Sequence, residues 1–387
     1  MLGAQRAAVG RDGVAFASAL LFAVTAYTGI VNLFPSLEVI RPAMLTAVLA
    51  VSTLLLGRIA SGLPISWDGA RGLGLIGFTL VALASVAWSF DPASTRRESV
   101  ELFKLCAIYV VLINVVNTPK RLALICGATV LAALVPAIAT LDRWANDVDL
   151  LEGYRARWLG VYGDPNHLAM ALVAIVPIAA TFCFFSKSWL MRAASAVVVG
   201  TSVAVVVLTH SRGGALGLAL ALALWAITGR NKVRTMFGFV LVLIAVGVFA
   251  PSSFWNRTET IADYEQDASA MGRVYAWEVA SELNQDRPLL GGGAGAFMAA
   301  WPQYARYEAR GTAYVAHNVF LAVLAELGWI GFGLFLLFVG KAMGGAMEAI
   351  RDPEVGQLAR GAGEDDVTLD ADHAAVGEAH QGSVVLV

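Results

Sequence analysis

The 387-residue chain is 58% hydrophobic and 14% charged, with a formal net charge of −2 and a mean hydropathy of +0.69, whereas about a quarter of an average soluble domain is charged. This composition excludes an ordinary water-soluble globular domain, and with no basic stripe or aromatic-basic interleaving a nucleic-acid partner is not indicated. Cys106, Cys126 and Cys183 all sit inside apolar runs, where they read as small core residues and not as a disulfide framework.

The apolar residues fall into runs of roughly 17 to 23, the length an α-helix needs to cross the hydrocarbon core of a bilayer. Barrel strands would instead alternate over about ten residues. The expected fold is therefore all-α: a polytopic transmembrane helical bundle of about ten spans, with one large extracytoplasmic loop between the last two. Spans are expected at 14–34, 39–60, 72–90, 102–116, 121–141, 167–185, 191–209, 213–229, 233–250 and 317–340. The first run follows Arg6 and Arg11, is too long for a signal peptide and lacks a small-residue cleavage site, so it reads as a retained span. Arg41 and Lys104 lie near span ends, where long cationic side chains snorkel to the headgroups.

Four regions follow: a membrane region of about nine spans over 1–250, a large loop over 251–316, a last span over 317–340 and a tail over 341–387. Residues 352–387 are polar and carry the acidic cluster Glu364, Asp365, Asp366, Asp370 and Asp372, a composition expected to stay disordered on the cytoplasmic side.

Orientation comes from the loops, since short cytoplasmic loops are enriched in Lys and Arg. With the N-terminus inside, the inner segments hold Arg6 and Arg11, Arg58 and Arg71, Lys120 and Arg121, Lys187 and Arg192, then Arg230, Lys232 and Arg234. The opposite loops mix signs, and the alternation puts 251–316 outside. The outer loop over 142–166 ends in Gly160-Val161-Tyr162-Gly163-Asp164-Pro165-Asn166-His167, a turn-rich lead into the sixth span, and the seventh and eighth spans are joined by the tight turn Thr209-His210-Ser211-Arg212-Gly213-Gly214.

Within the large loop a helix is predicted from Gly272 to about Asp286, stopped before Pro288, with Val274, Trp277 and Ala280 on one apolar side. Leu289–Phe297, with Gly291, Gly292, Gly293 and Gly295, reads as a flexible segment. Trp301, Tyr304, Tyr307 and Tyr314 suit the headgroup region.

His167, His210 and His317 fall at the outer ends of spans, while His373 and His380 lie in the tail. Arg212 and Arg273 share the outer face. Arginine's planar fork suits phosphate or pyrophosphate oxygens, and histidine, with an unperturbed pKa of about 6.5, takes a proton near neutral pH. Together these types fit a transfer reaction whose leaving group is a lipid-linked pyrophosphate and whose acceptor is a hydroxyl. Plainer readings stand beside this one. Arg212 also fits a headgroup anchor, His317-Asn318 an interfacial helix cap, Asp164-Pro165-Asn166 a turn. A zinc site from the three outer histidines is geometrically open.

Four ordered pieces carry a family resemblance: Gly163-Asp164-Pro165-Asn166-His167-Leu168-Ala169; Ser211-Arg212-Gly213-Gly214; Gly272-Arg273 with Trp277, Pro288 and Gly291-Gly292-Gly293; and His317-Asn318-Val319-Phe320-Leu321 with Glu326-Leu327-Gly328. Over roughly 155–335 the chain resembles the O-antigen ligase and polymerase superfamily of bacterial envelope glycan enzymes. The resemblance implies an inverting, metal-independent glycosyl transfer without a cofactor, at the outer face of the bacterial cytoplasmic membrane. It implies undecaprenyl-pyrophosphate-linked glycan as donor and a glycan, lipid or protein as acceptor. His317 would match the family's essential histidine, which deprotonates the acceptor hydroxyl. Arg212 and Arg273 would match the arginines on the donor pyrophosphate, with Asn166 and Asn318 in supporting roles. Family members continue with about two further spans where this chain turns into its acidic tail. The competing class is a transporter or flippase for a lipid-linked or anionic solute, in which the same arginines bind without chemistry.

Overall fold

The computed structural model describes residues 12–229, 231–252, 254, 268–309 and 311–351. Arg6, Arg11, Arg230, the loop stretch 255–267 and the tail with its acidic cluster, His373 and His380 lie outside the described residues. What is described is nearly all helical, with no strand and a single antiparallel bridge between Leu151 and Arg155. Among the described residues, six helices are long and apolar enough to cross a membrane: Pro35–Ser61, Gly69–Ala87, Pro119–Ala145, Pro165–Phe185, Trp189–Leu208 and Val319–Arg351. Four further predicted spans are also helical. Gly13–Thr28 and Arg212–Thr228 are apolar but shorter, Pro92–Val115 carries charges in its first half, and Lys232–Phe249 opens with Lys232 and Arg234.

The described residues divide into two compact units, one taking those up to Gly57 and those of Val116–Ile261, the other those of Arg58–Val115 and Ala262–Asp352. The first unit holds α1 (Gly13–Thr28), most of α2 (Pro42–Ser61), α5 (Pro119–Ala132), α6 (Leu134–Ala145), α7 (Pro165–Phe185), α8 (Trp189–Leu208), α9 (Arg212–Thr228) and α10 (Lys232–Phe249). The second holds α3 (Gly69–Ala84), α4 (Pro92–Val115), α11 (Ala268–Asp286), α12 (Phe297–Tyr304) and α13 (Val319–Arg351).

Local chemistry sets the helix starts in the first unit. Thr118, Asp164, Ser188, Ser211 and Asn231 each accept a backbone N–H of the first turn they precede, satisfying donors that have no intrahelical partner. Pro119 and Pro165 stand at first helical positions, where the missing N–H costs nothing. The predicted span 121–141 divides into α5 and α6 because Pro136 has no N–H for the carbonyl four residues back, that of Ala132. Leu168, Leu172 and Val176 of α7, Val198, Val205 and Val206 of α8 and Leu218 and Leu222 of α9 form the core. In hydrocarbon such burial stabilises through close packing, since lipid tails are as apolar as leucine.

In the second unit, α3 packs on α13 so closely that a Cβ at Gly74 would lie 2.8 Å from the Phe338 nitrogen. Helix α13 is interrupted at Gly328, whose φ of 60° and ψ of −167° are non-helical. A regular helix would bond the nitrogens of 329 and 330 to the carbonyls of 325 and 326. Here Trp329 N donates to Pro288 O at 2.8 Å and Ile330 N to Leu289 O at 3.3 Å, while Gly292 N donates to Ala325 O at 2.9 Å and Gly293 N to Glu326 O at 2.8 Å. The glycine-rich segment therefore repairs the broken helix. Gly291, Gly292 and Gly293 are buried, and a Cβ at Gly291 or Gly328 would fall 2.4 or 2.3 Å from opposing backbone. The expectation of a flexible segment is corrected on these grounds: the glycines serve close backbone approach instead of freedom. Trp88 Nε1 also donates to Leu290 O at 3.1 Å, and Phe90 N to Gly292 O at 3.0 Å.

Candidate functional site

Each unit presents one group of the predicted site residues. In the first, the chain between α6 and α7 is not a loose loop. Ala156 N donates to Leu208 O at 2.9 Å, Tyr162 OH to Tyr27 O at 2.8 Å and Asn32 Nδ2 to Leu159 O at 3.1 Å. Trp158 stacks on Tyr162 with ring centroids 5.8 Å apart. This frame carries Arg155, which is only 6% exposed. Its Nε donates to Thr209 O at 3.0 Å, Nη1 meets Glu152 at 3.3 Å, and Nη2 donates to Asn166 Oδ1 at 3.3 Å.

Asn166 Oδ1 also accepts from Ser211 Oγ at 2.8 Å, and Ser211 Oγ in turn accepts from Gly214 N at 3.1 Å. Arg155, Asn166 and Ser211 thus fix the turn whose next residue, the half-buried Arg212, opens α9. Gly214 is required there because a Cβ would come 2.7 Å from that of Ala169. Arg155 was not among the predicted site residues. In sequence it is one arginine in a mixed-charge loop, and nothing local announces its burial.

Asp164 caps α7, accepting from Asn166 N at 2.6 Å and His167 N at 3.3 Å. Burial pushes its carboxyl up, but those backbone N–H bonds, with His167 and Arg155 nearby, outweigh it and hold the carboxyl below its ordinary value. His210, in the left-handed region at φ 50°, is buried with Nδ1 2.9 Å from Leu208 O and its ring edge-on to Tyr154. It is a packed turn residue, whereas His167 is exposed. Among the described residues no three His, Cys, Asp or Glu side chains gather as metal ligands would, so the zinc alternative gains no support.

An apolar groove of about 650 Å³ runs beside α8 from Ala196 to Leu208, lined on its other sides by residues such as Cys183, Trp225 and Val242. Trp144 and Pro251 line both this groove and a smaller cleft of about 310 Å³ that reaches His210, two residues before Arg212.

In the second unit, the buried stripe of α11 is Ala276, Val279, Ala280 and Leu283, packed on Phe297, Ala300, Trp301 and Ala325. Of the side expected through Val274, Trp277 and Ala280, Ala280 lies in this buried stripe and Val274 is half-buried, while Trp277 stays 41% exposed; the small residues at 276 and 280 let the neighbours approach. Trp277 Nε1 donates to Ala316 O at 2.9 Å, and a Cβ at Gly272 would lie 2.6 Å from the Tyr314 ring. The segment Tyr314–His317 is thereby laid along the turn of α11 that carries Arg273. Residues four apart on a helix are neighbours on one face, so Arg273 stands one turn from the indole that holds the residue before His317. His317 is exposed and left-handed at φ 47°. Asn318 caps α13, its Oδ1 accepting from Phe320 N at 3.0 Å and Leu321 N at 3.3 Å.

The structure thus brings Arg273, His317 and Asn318 together within the second unit, and Asn166 and Arg212 within the first. Chemically, the second group offers a permanent cation and, after a carbonyl held one helical turn away, an exposed histidine. The first holds a cation on a fixed turn, two residues after the histidine that lines the smaller cleft.

No curated protein and no solved structure matches the chain. Residues 196–336 match the family model Wzy_C, described as O-Antigen ligase. That stretch contains Arg212, Arg273, His317 and Asn318, and excludes Asn166. The description suggests glycan assembly of the ligase or polymerase type, and the apolar helices fit a multi-pass membrane protein. Over residues 196–336, somewhat more than a third of the chain, the protein is thus similar to the O-antigen ligase family.

Proposed function

We propose that the protein is an inverting, metal-independent glycosyltransferase of surface polysaccharide or O-antigen assembly. It acts at the outer face of the bacterial cytoplasmic membrane and moves a glycan from a polyprenyl-pyrophosphate donor to an acceptor hydroxyl. The observation that carries this reading lies inside the matched stretch: Arg273 is one helical turn from Trp277, which holds Ala316 beside the exposed His317. His317 takes the proton of the acceptor hydroxyl, whose oxygen attacks the anomeric carbon opposite the pyrophosphate. The bond from that carbon to the phosphate oxygen breaks, its electron pair leaves on the pyrophosphate, and the configuration inverts. Arg212 and Arg273 bind the departing group, their guanidinium forks matching its oxygens as charge develops. Asn166 and Asn318 support them, one through the Ser211 turn and one by capping α13. The apolar groove beside α8 suits the donor's polyprenyl chain, because it shares Trp144 and Pro251 with the cleft at His210.

The test is His317→Ala in the producing cell. Protein level and membrane insertion are expected to stay unchanged while new glycosidic linkage is lost and lipid-linked donor accumulates; full glycan assembly would overturn the role of His317. Arg212→Lys and Arg273→Lys each keep the charge but lose the fork, and each is expected to remove most of the transfer.

A further inference from the structure

Beside Trp277 the second unit has a cleft of about 580 Å³, formed where α11 meets the end of α12 and the chain that follows it. Its walls offer the aromatic rings of Tyr275, Trp277 and Tyr304 and the polar groups of Glu278, Gln303 and Arg306. Resting on the proposed transfer reaction, we infer that this cleft is a saccharide-binding subsite that holds a sugar ring next to His317.

Three observations carry the inference. The first is the mixture of aromatic faces and planar polar groups. A pyranose has a face of polarised C–H bonds, which suits the negative face of an aromatic ring, and a rim of hydroxyls that donate and accept. A carboxylate, a carboxamide and a guanidinium match that rim.

The second is Glu278. Its Oε1 pairs with Arg306 Nη2 at 2.9 Å, while its Oε2 is closed to solvent and accepts no hydrogen bond among the described residues. A carboxylate oxygen left so is costly. The last torsion of glutamate is broad and two-fold, so a small turn presents that oxygen to a hydroxyl in the cleft. The third is Trp277 itself. The same residue forms a wall of the cleft and holds Ala316, so a sugar against the indole lies beside the turn that carries His317.

The lining also selects against other ligand classes. An alkyl or isoprenoid chain would avoid four charged or amide groups and suits the apolar groove of the first unit instead. A phosphate would meet Glu278 and Glu282, against one Arg306 already engaged by Glu278. The sugar has two sources, the donor's glycan and the acceptor's glycan, with the same recognition chemistry.

The experiment uses the full chain in detergent or nanodiscs. The probes are oligosaccharides released from the producing cell's own surface glycan, separated into repeat-unit and reducing-end fractions. Binding is read by saturation-transfer NMR and by titration. Wild type and His317→Ala are expected to bind equally, which separates saccharide binding from catalysis. Glu278→Ala and Gln303→Ala are each expected to weaken binding about tenfold, the loss of a hydrogen bond to a charged or well-placed group. In turnover they raise KM for the sugar-bearing substrate with little change in kcat. Binding of the repeat-unit fraction assigns the subsite to the donor's glycan, and binding of the reducing-end fraction assigns it to the acceptor. No binding by wild type, or equal binding by wild type and both cleft variants, overturns the inference. Because the binding readouts do not require His317, neither of these binding results bears on the proposed transfer, which stands or falls on His317→Ala in the cell.

Discussion

The indole nitrogen of Trp277 donates to the carbonyl oxygen of Ala316 at 2.9 Å, tying a loop-borne helix to the residue before His317. Trp277→Phe keeps an aromatic ring and removes the donor. One partly exposed hydrogen bond contributes about 1 kcal/mol, so thermal stability is expected to fall only slightly. Glycan transfer is expected to fall much further, by about tenfold to a hundredfold, because a misplacement of about 1 Å at a reacting group costs that much. Melting of the purified protein compared with turnover on lipid-linked donor checks the split. Equal losses in both would reduce Trp277 to a packing residue.

The break in α13 gives a sharper stability contrast. Gly328 has φ 60° and ψ −167°, a region that side chains avoid, and an added Cβ would lie 2.3 Å from the Leu289 carbonyl carbon. Gly328→Ala must therefore strain the backbone and push away the segment that completes the helix. A loss of more than about 3 kcal/mol is expected, seen as poor accumulation and a broadened melt. Gly333→Ala, five residues on in the same helix, meets nothing within 4 Å. It is expected to be neutral or to stabilise by up to about 1 kcal/mol.

Those two glycines also mark where the sequence could be read and where it could not. Apolar runs of membrane-crossing length announce helices directly, and the predicted helix from Gly272 to Asp286 lies within the observed Ala268–Asp286. His317-Asn318 reads as a helix cap, and Asn318 is one. By contrast, a run of glycines announces only backbone freedom. Its partner is a single glycine more than thirty residues later, inside a helix whose composition gives no sign of a break. The network of Arg155, Asn166 and Ser211 was hidden for the same reason: each residue is ordinary in its own segment, and only the fold brings the three segments together. The stripe of α11 was legible only in part: Ala280 lies on the expected apolar side, whereas Ala276 leaves little hydropathy signal while permitting the closest packing.

That buried network supports a conservative-variant test. Both Arg155 and Ser211 donate to the same oxygen of Asn166. Asn166→Asp offers an acceptor in the same place, whereas Asn166→Leu leaves a buried guanidinium and a hydroxyl short of one. The leucine variant is expected to lose about 2 kcal/mol of stability, and glycan transfer with it, since the turn before Arg212 is no longer fixed. The aspartate variant is expected to recover most of both. Loss of function in both variants, with stability kept, would instead give the Asn166 amide nitrogen a direct part.

The cap of α7 gives the pH dependence. Asp164 is held below the ordinary 3.8, because the N–H bonds from Asn166 and His167 outweigh the burial that raises it. The folded protein therefore binds fewer protons at this group than the unfolded chain does. Its contribution to stability is complete above the ordinary value and is lost as the pH falls through the depressed folded value. Asp164 is only partly withdrawn from solvent, which screens its charge and keeps the effect small. Asp164→Asn retains a capping oxygen and cannot titrate. Between pH 5 and about pH 2, the melting temperature of the wild type is expected to drop more steeply than that of Asp164→Asn, the two curves converging at the acid end. Parallel curves across the range would show that the cap does not depend on the charge of Asp164.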